Sequence, residues 1–194
     1  MLNPFSRRDD PYSLVVQMAG VKMGERIVLI GCGNADRMAA IAQKVGLSGR
    51  AAASMPDQAS ADAIRKGAER AGVLVEIDVA PPSRLAADDG AFDLAVVDDT
   101  SGVLGTLRPE DRVAAVRELL RILRPGGRVL IMGASPRGGL GAILTRATSG
   151  PPFAFSGEAN LALQADGFAS VRTLADRQGL VFVEGLKART ARQS

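Results

Sequence analysis

The order of segments in this chain predicts an α/β domain whose mostly parallel sheet ends in an antiparallel hairpin. Three observations carry that expectation. Apolar runs such as ERIVLIGC (25–32) and FDLAVVDD (92–99) lack the polar alternation of a half-exposed strand. Such runs belong inside a parallel sheet covered on both faces. Helical patterns separate the runs, as in β-α-β units. Finally, SVRTLAD and LVFVEGLK are separated only by RQG (177–179), too short for a helical crossover, so one of that pair runs antiparallel.

Each element follows in order. PYSLVVQMAG (11–20) reads as a short apolar helix stopped by Gly20. After the strand at 25–32, residues 35–45 are helical, with Gly46 as the stop. GRAAASM (49–55) is a strand read mainly from its place in the alternation. SADAIRKGAERAG (60–72) is a helix with Ser60 as N-cap and Gly72 beyond its end. VLVEIDV (73–79) is a strand, PPSRLAADDGA (81–91) a polar loop, and 92–99 a strand ending in two acids. In RPEDRVAAVRELLRILRPGG (108–127), Pro109 suits the first helical position and Glu110 and Asp111 favour the positive end of the dipole. Val113, Val116, Leu119, Leu120 and Leu123 form its apolar stripe, and Pro125-Gly126-Gly127 the stop. RVLIMG (128–133) is the next strand; LGAILTRA (140–147) reads as a short helix and EANLALQADGF (158–168) as a longer one. Residues 1–194 form one domain, with a cap helix in 1–20 and a variable, substrate-side loop at 134–157.

Composition narrows the chemistry. There is no histidine, which removes the commonest general base and metal ligand. A single cysteine, Cys32, excludes an intramolecular disulfide framework and points to a reducing compartment. MLNPFSRRDD has no apolar signal core and no run spans a membrane, so a cytoplasmic enzyme is expected. The net charge of +3 is scattered, so no nucleic-acid partner is expected.

In open α/β sheets, ligands bind beyond the carboxyl ends of the strands at the switch point. That selects Gly31–Asp36, Ser54–Asp57, Asp78–Ala80 and Asp98–Gly102. Gly31 and Gly33 let backbone approach a ligand ahead of a helix N-terminus. The pattern G-x-G-x-x-D puts Asp36 where a dinucleotide fingerprint wants glycine. Asp36 would repel a pyrophosphate but not an ammonium or sulfonium. Cys32 reads as a small residue filling the turn, since no histidine activates it. No metal is expected: Asp98 and Asp99 would need further oxygen ligands after the fifth strand, and GASPRGG supplies none.

Taken together, four segments resemble the class I S-adenosylmethionine-dependent methyltransferases, in the branch similar to the quinone-biosynthesis (methyltransferase type 11-like) enzymes. They are VLIGCGNA (28–35), EIDVAPPSRLAADDGAFDLAVV (76–97), LLRILRPGGRVLIMG (119–133) and the LQADGF…VFVEGLK ending (163–187). The resemblance implies a Rossmann-like, doubly wound, seven-stranded sheet with the last strand inserted antiparallel. It implies that Gly31, Cys32 and Gly33 face the methionine part and ribose of S-adenosylmethionine. It implies that Asp78, with Val79, reads the adenine amino group, and that Asp98 and Asp99 line the cleft to the acceptor. Leu29 stands where many members have an acid, and Ala35 replaces a third glycine. The ribose acid is expected near Met55, which cannot accept a hydrogen bond from a hydroxyl in that way; Ser54 or Asp57 is the substitute. Losing a charge-assisted ribose contact costs about 1.5–3 kcal/mol.

The expected activity is methyl transfer from S-adenosylmethionine to a small-molecule acceptor, with Asp98 or Asp99 as the base where one is needed. LGAILTRA and PPFAF (151–155) suit an apolar or ring-bearing acceptor. With no inserted lid, the cleft is open or is completed by a second subunit in a homodimer. Two alternatives stand beside this: a non-catalytic relative with a weakened cofactor site, and an NAD(P)-dependent oxidoreductase. The latter lacks a Tyr-x-x-x-Lys or histidine proton relay.

Overall fold

The computed structural model describes residues 10–136 and 152–189. The expected helix at 140–147 and most of the loop at 134–157 lie outside them. The elements are α1 (Ser13–Ala19), β1 (Arg26–Ile30), α2 (Ala35–Ala42), β2 (Arg50–Met55), α3 (Gln58–Ala71), β3 (Glu76–Val79), β4 (Phe92–Asp98), α4 (Pro109–Ile122), β5 (Leu123–Ala134), α5 (Glu158–Ala165), β6 (Ala169–Arg177) and β7 (Leu180–Leu186). Short 3₁₀ turns follow α2 and β4.

The sheet has seven strands in the order β3-β2-β1-β4-β5-β7-β6. β1 to β5 pair in parallel, and β7 pairs antiparallel with both β5 and β6. The strand order therefore reverses between β1 and β4, which opens the switch-point crevice there. The hairpin turns on Gln178 and Gly179, both with positive φ.

Strand alternation builds two cores. Val28, Ile30, Ala95, Val97, Val129, Ile131 and Val183 pack against α4 and α5 through Leu119, Ile122 and Leu163. Ile27, Leu29, Leu94, Val96, Leu130, Met132 and Phe182 pack under α1, α2 and α3 through Val15, Met38, Ile41 and Ile64. Both faces are covered, which is why these strands read as unbroken apolar runs.

Four local expectations are corrected. α3 begins at Gln58, not Ser60, and its cap is Asp57, whose carboxylate accepts from the Ser60 N–H at 2.7 Å. α4 ends at Ile122, and β5 already runs through Pro125-Gly126-Gly127. There Gly126 N–H donates to the Lys187 carbonyl and Lys187 N–H to the Gly127 carbonyl. The buried face of α4 is Ala115, Val116, Leu119 and Ile122, while Val113 is exposed. β3 is also shorter than expected, because Leu74 stands in solvent before the pairing begins.

Candidate functional site

The site is built where β1 stops. Gly31 adopts φ +74, a conformation that disfavours a side chain. Its N–H donates to the Ser54 carbonyl at 3.2 Å, tying the turn to the end of β2. Asn34 then caps α2, its side chain accepting from Arg37 N–H at 2.9 Å. Gly33 needs no special φ; it needs space. A Cβ there would sit 2.0 Å from Thr100 Oγ1 and 3.0 Å from Asp98 Oδ1.

Asp98, at the end of β4, is wholly buried. Its Oδ2 accepts from Gly33 N–H at 2.9 Å and Asn34 N–H at 3.3 Å. Arg37 Nη2 donates to both carboxylate oxygens, at 2.9 and 2.8 Å, and to Thr100 Oγ1 at 2.8 Å. Thr100 Oγ1 in turn donates to Asp98 Oδ1 at 2.6 Å. The glycine turn and the end of β4 are therefore one hydrogen-bonded unit.

Asp99, the next residue, faces elsewhere. Its Oδ1 accepts from Leu104 N–H at 2.7 Å and Gly105 N–H at 3.0 Å. Burial pushes its carboxyl above the usual range, and the neighbouring Asp98 charge adds to that push. Its Oδ2 and the side chain of Phe153 both border Gly105, and the Arg112 guanidinium lies 4.8 Å from the Phe153 ring centre.

The other expected residues divide by strand parity. Ile30, Ser54 and Asp78 align in register across β1, β2 and β3. Ser54 is 6% exposed, yet its hydroxyl is buried without a hydrogen-bond partner among the described residues. Asp78 and Val79 are exposed at the end of β3. Met55 points to the opposite face and is fully buried in the core under α2 and α3. Asp57 spends its carboxylate on the α3 cap. Asp36 pairs with Arg70 of α3, on the flank of the turn. Cys32 is half-buried; burial and the Asp98 charge push its thiol up to about 11, so it is protonated at neutral pH.

The fold thus joins Gly31, Gly33, Ser54, Asp78 and Asp98 along adjacent strand ends and leaves Met55, Asp57 and Asp36 engaged elsewhere. Sequence reasoning missed Arg37 and Thr100. The signal for Arg37 was its place: a cation in the first turn of a helix opposes the dipole unless an anion meets it. Among the described residues, no three His, Cys, Asp or Glu side chains gather as a metal site. No helix among them is long and apolar enough to cross a membrane.

Comparison with known proteins identifies the family and the fold. The family model described as a methyltransferase domain matches residues 27–127, from β1 to the start of β5. A ubiquinone/menaquinone biosynthesis C-methyltransferase, UbiE of Idiomarina loihiensis, is 29% identical over 119 residues, covering 60% of this chain and 45% of the relative. The chain thus spans less than half the length of the curated relatives it matches. A solved S-adenosylmethionine-dependent methyltransferase from Aquifex aeolicus superposes with TM-score 0.70 at 17% identity, over 91% of this chain and 89% of that one. The [4+2]-cyclase SpnF superposes with TM-score 0.68, also at 17% identity, over 92% and 80%. At such identities the structural likeness is one of fold, and a cyclase among the neighbours shows that this fold does not fix one reaction.

Proposed function

This chain belongs to the methyltransferase domain family, and on that premise we propose that it binds S-adenosylmethionine across the carboxyl ends of β1 to β4 and methylates a small-molecule acceptor. The observation that carries the reading is the unpartnered Ser54 hydroxyl. A buried polar group left without a partner costs about 1–3 kcal/mol. A ligand hydroxyl at the strand end removes that cost. Asp78, opposite Ser54 in register, offers a carboxylate that accepts from an amino or hydroxyl group. Both features fit the nucleoside half of the cofactor. Asp78 at the end of β3 is an exposed carboxylate suited to a cationic ligand, whereas Asp57 and Asp98 are already held by Ser60 and Arg37.

The cofactor, when bound, supplies a methyl group on a sulfonium that is already a good leaving group. What remains for this chain is orientation and proton handling. We assign the proton to Asp99 Oδ2: its raised pKa makes it a better acceptor than an ordinary carboxylate. The nearby Phe153 and the likeness to a quinone-biosynthesis C-methyltransferase support an apolar, ring-bearing acceptor. The small, scattered net charge supports a small molecule over nucleic acid.

Calorimetry with S-adenosylmethionine and with S-adenosylhomocysteine tests the proposal. Saturable binding of either is expected; no heat from either at millimolar ligand overturns it. A second reading, a non-catalytic relative, is favoured by one observation: Asp98 already occupies the N–H groups of the glycine turn. Binding without methyl turnover across a panel of phenols and quinols supports that reading.

A further inference from the structure

The charge pair at the end of β4 has no part in the chemistry proposed above. The Gly33 and Asn34 N–H groups, ahead of α2, are the donors that such a turn offers to a ligand. Here Asp98 takes both. The turn is filled from within, since even a methyl group on Gly33 would collide with Thr100.

The cluster is closed but not fully satisfied. Arg37 reaches Asp98 and Thr100 through Nη2, while its Nε is buried with no partner among the described residues. A side-on pair using Nε and Nη2 together would satisfy both nitrogens. The unpartnered Ser54 hydroxyl lies at the same turn, on the residue whose carbonyl receives the Gly31 N–H. Two buried polar atoms thus lie without partners among the described residues around one turn, and each calls for an explanation.

We infer that Arg37, Asp98 and Thr100 form a latch closed over the glycine turn, and that the amino-acid end of the cofactor enters only by displacing Asp98 from Gly33 and Asn34. Arg37 sets affinity by holding the latch shut. This rests on reading the turn as the cofactor cradle. When the competent state is a minor one, apparent affinity falls by its fraction. Loosening the latch therefore strengthens ligand binding and weakens the ligand-free fold.

The test is calorimetry of the full chain with S-adenosylhomocysteine, beside thermal melts without ligand, for the wild type, Arg37→Met and Thr100→Val. Both variants are expected to melt lower and to bind more tightly, Arg37→Met by roughly tenfold. Thr100→Val retains Arg37 and Asp98 and serves where Arg37→Met does not fold. Tighter binding by either folded variant supports the latch, including the case in which the wild type binds too weakly to measure. Equal or weaker binding by folded variants, against measurable wild-type binding, overturns the latch and leaves the cofactor reading standing. No binding by the wild type or any variant overturns the cofactor reading and the latch with it.

Discussion

Asp98 and Asp99 are adjacent acids with one sequence signal and two fates. Asp98 accepts from donors more than sixty residues earlier, on the glycine turn and Arg37. Asp99 accepts from Leu104 and Gly105, a few residues later. The sequence marks both as acids at the end of a strand; only the folded chain decides which donors each one meets. Their pH behaviour differs accordingly. The folded-state pKa of Asp99 is raised, so its contribution to stability is present below the ordinary aspartate value of 3.8 and is lost as pH rises through the folded value. Asp99→Asn keeps an oxygen for Leu104 and Gly105 and removes the buried charge. Its melting temperature relative to the wild type should therefore climb between pH 4 and neutrality, over the span just above the ordinary aspartate range. A difference independent of pH would show that the charge is not held against burial. Methyl transfer, assayed with an accepted substrate, should fall in this variant while binding of S-adenosylhomocysteine is retained.

At the scale of elements, the turn between β1 and α2 uses its two glycines for different reasons. Gly31 is there for its φ of +74 and Gly33 because a Cβ there would sit 2.0 Å from Thr100 Oγ1. The Gly-x-Gly spacing predicts a close approach but not what approaches; here it is the chain's own β4 end. Gly33→Ala should therefore cost about 1–3 kcal/mol in urea denaturation. Combining it with Thr100→Gly should recover much of that loss, since Thr100 Oγ1 is by far the nearest obstacle. Strictly additive losses would mean that Thr100 is not the obstacle. The same limit explains the other local differences. Ser60 looks like an N-cap from its residue type, but Asp57 is placed to accept from it, so the helix starts earlier. The Pro-Gly-Gly segment looks like a helix stop, yet its backbone bonds to Lys187, a residue brought alongside only by β7.

Across the whole molecule, the sheet places the site and the hairpin completes the sheet. Phe182, in β7, is fully buried in the core under α1, α2 and α3, beside Met132 and Leu130 of β5. Phe182→Ala should cost about 3–5 kcal/mol, read as a lower urea midpoint. A change under 1 kcal/mol would show that β7 is peripheral to the core. The sequence by itself determined the α/β class, the parallel run of β1 to β5 and the antiparallel hairpin, because periodicity and loop length are local properties that any packing must respect. It also pointed to the glycine turn and the strand ends as the place for a ligand, since backbone geometry allows few other places. The tertiary structure alone decided which carboxylates remain for a ligand. Asp78 is exposed and Asp99 keeps Oδ2 outside its two backbone bonds, while Asp36, Asp57 and Asp98 are held by Arg70, Ser60 and Arg37. Those partners lie on other elements or at helix ends, and a hydrogen bond is a statement about distance in space, which residue order does not contain.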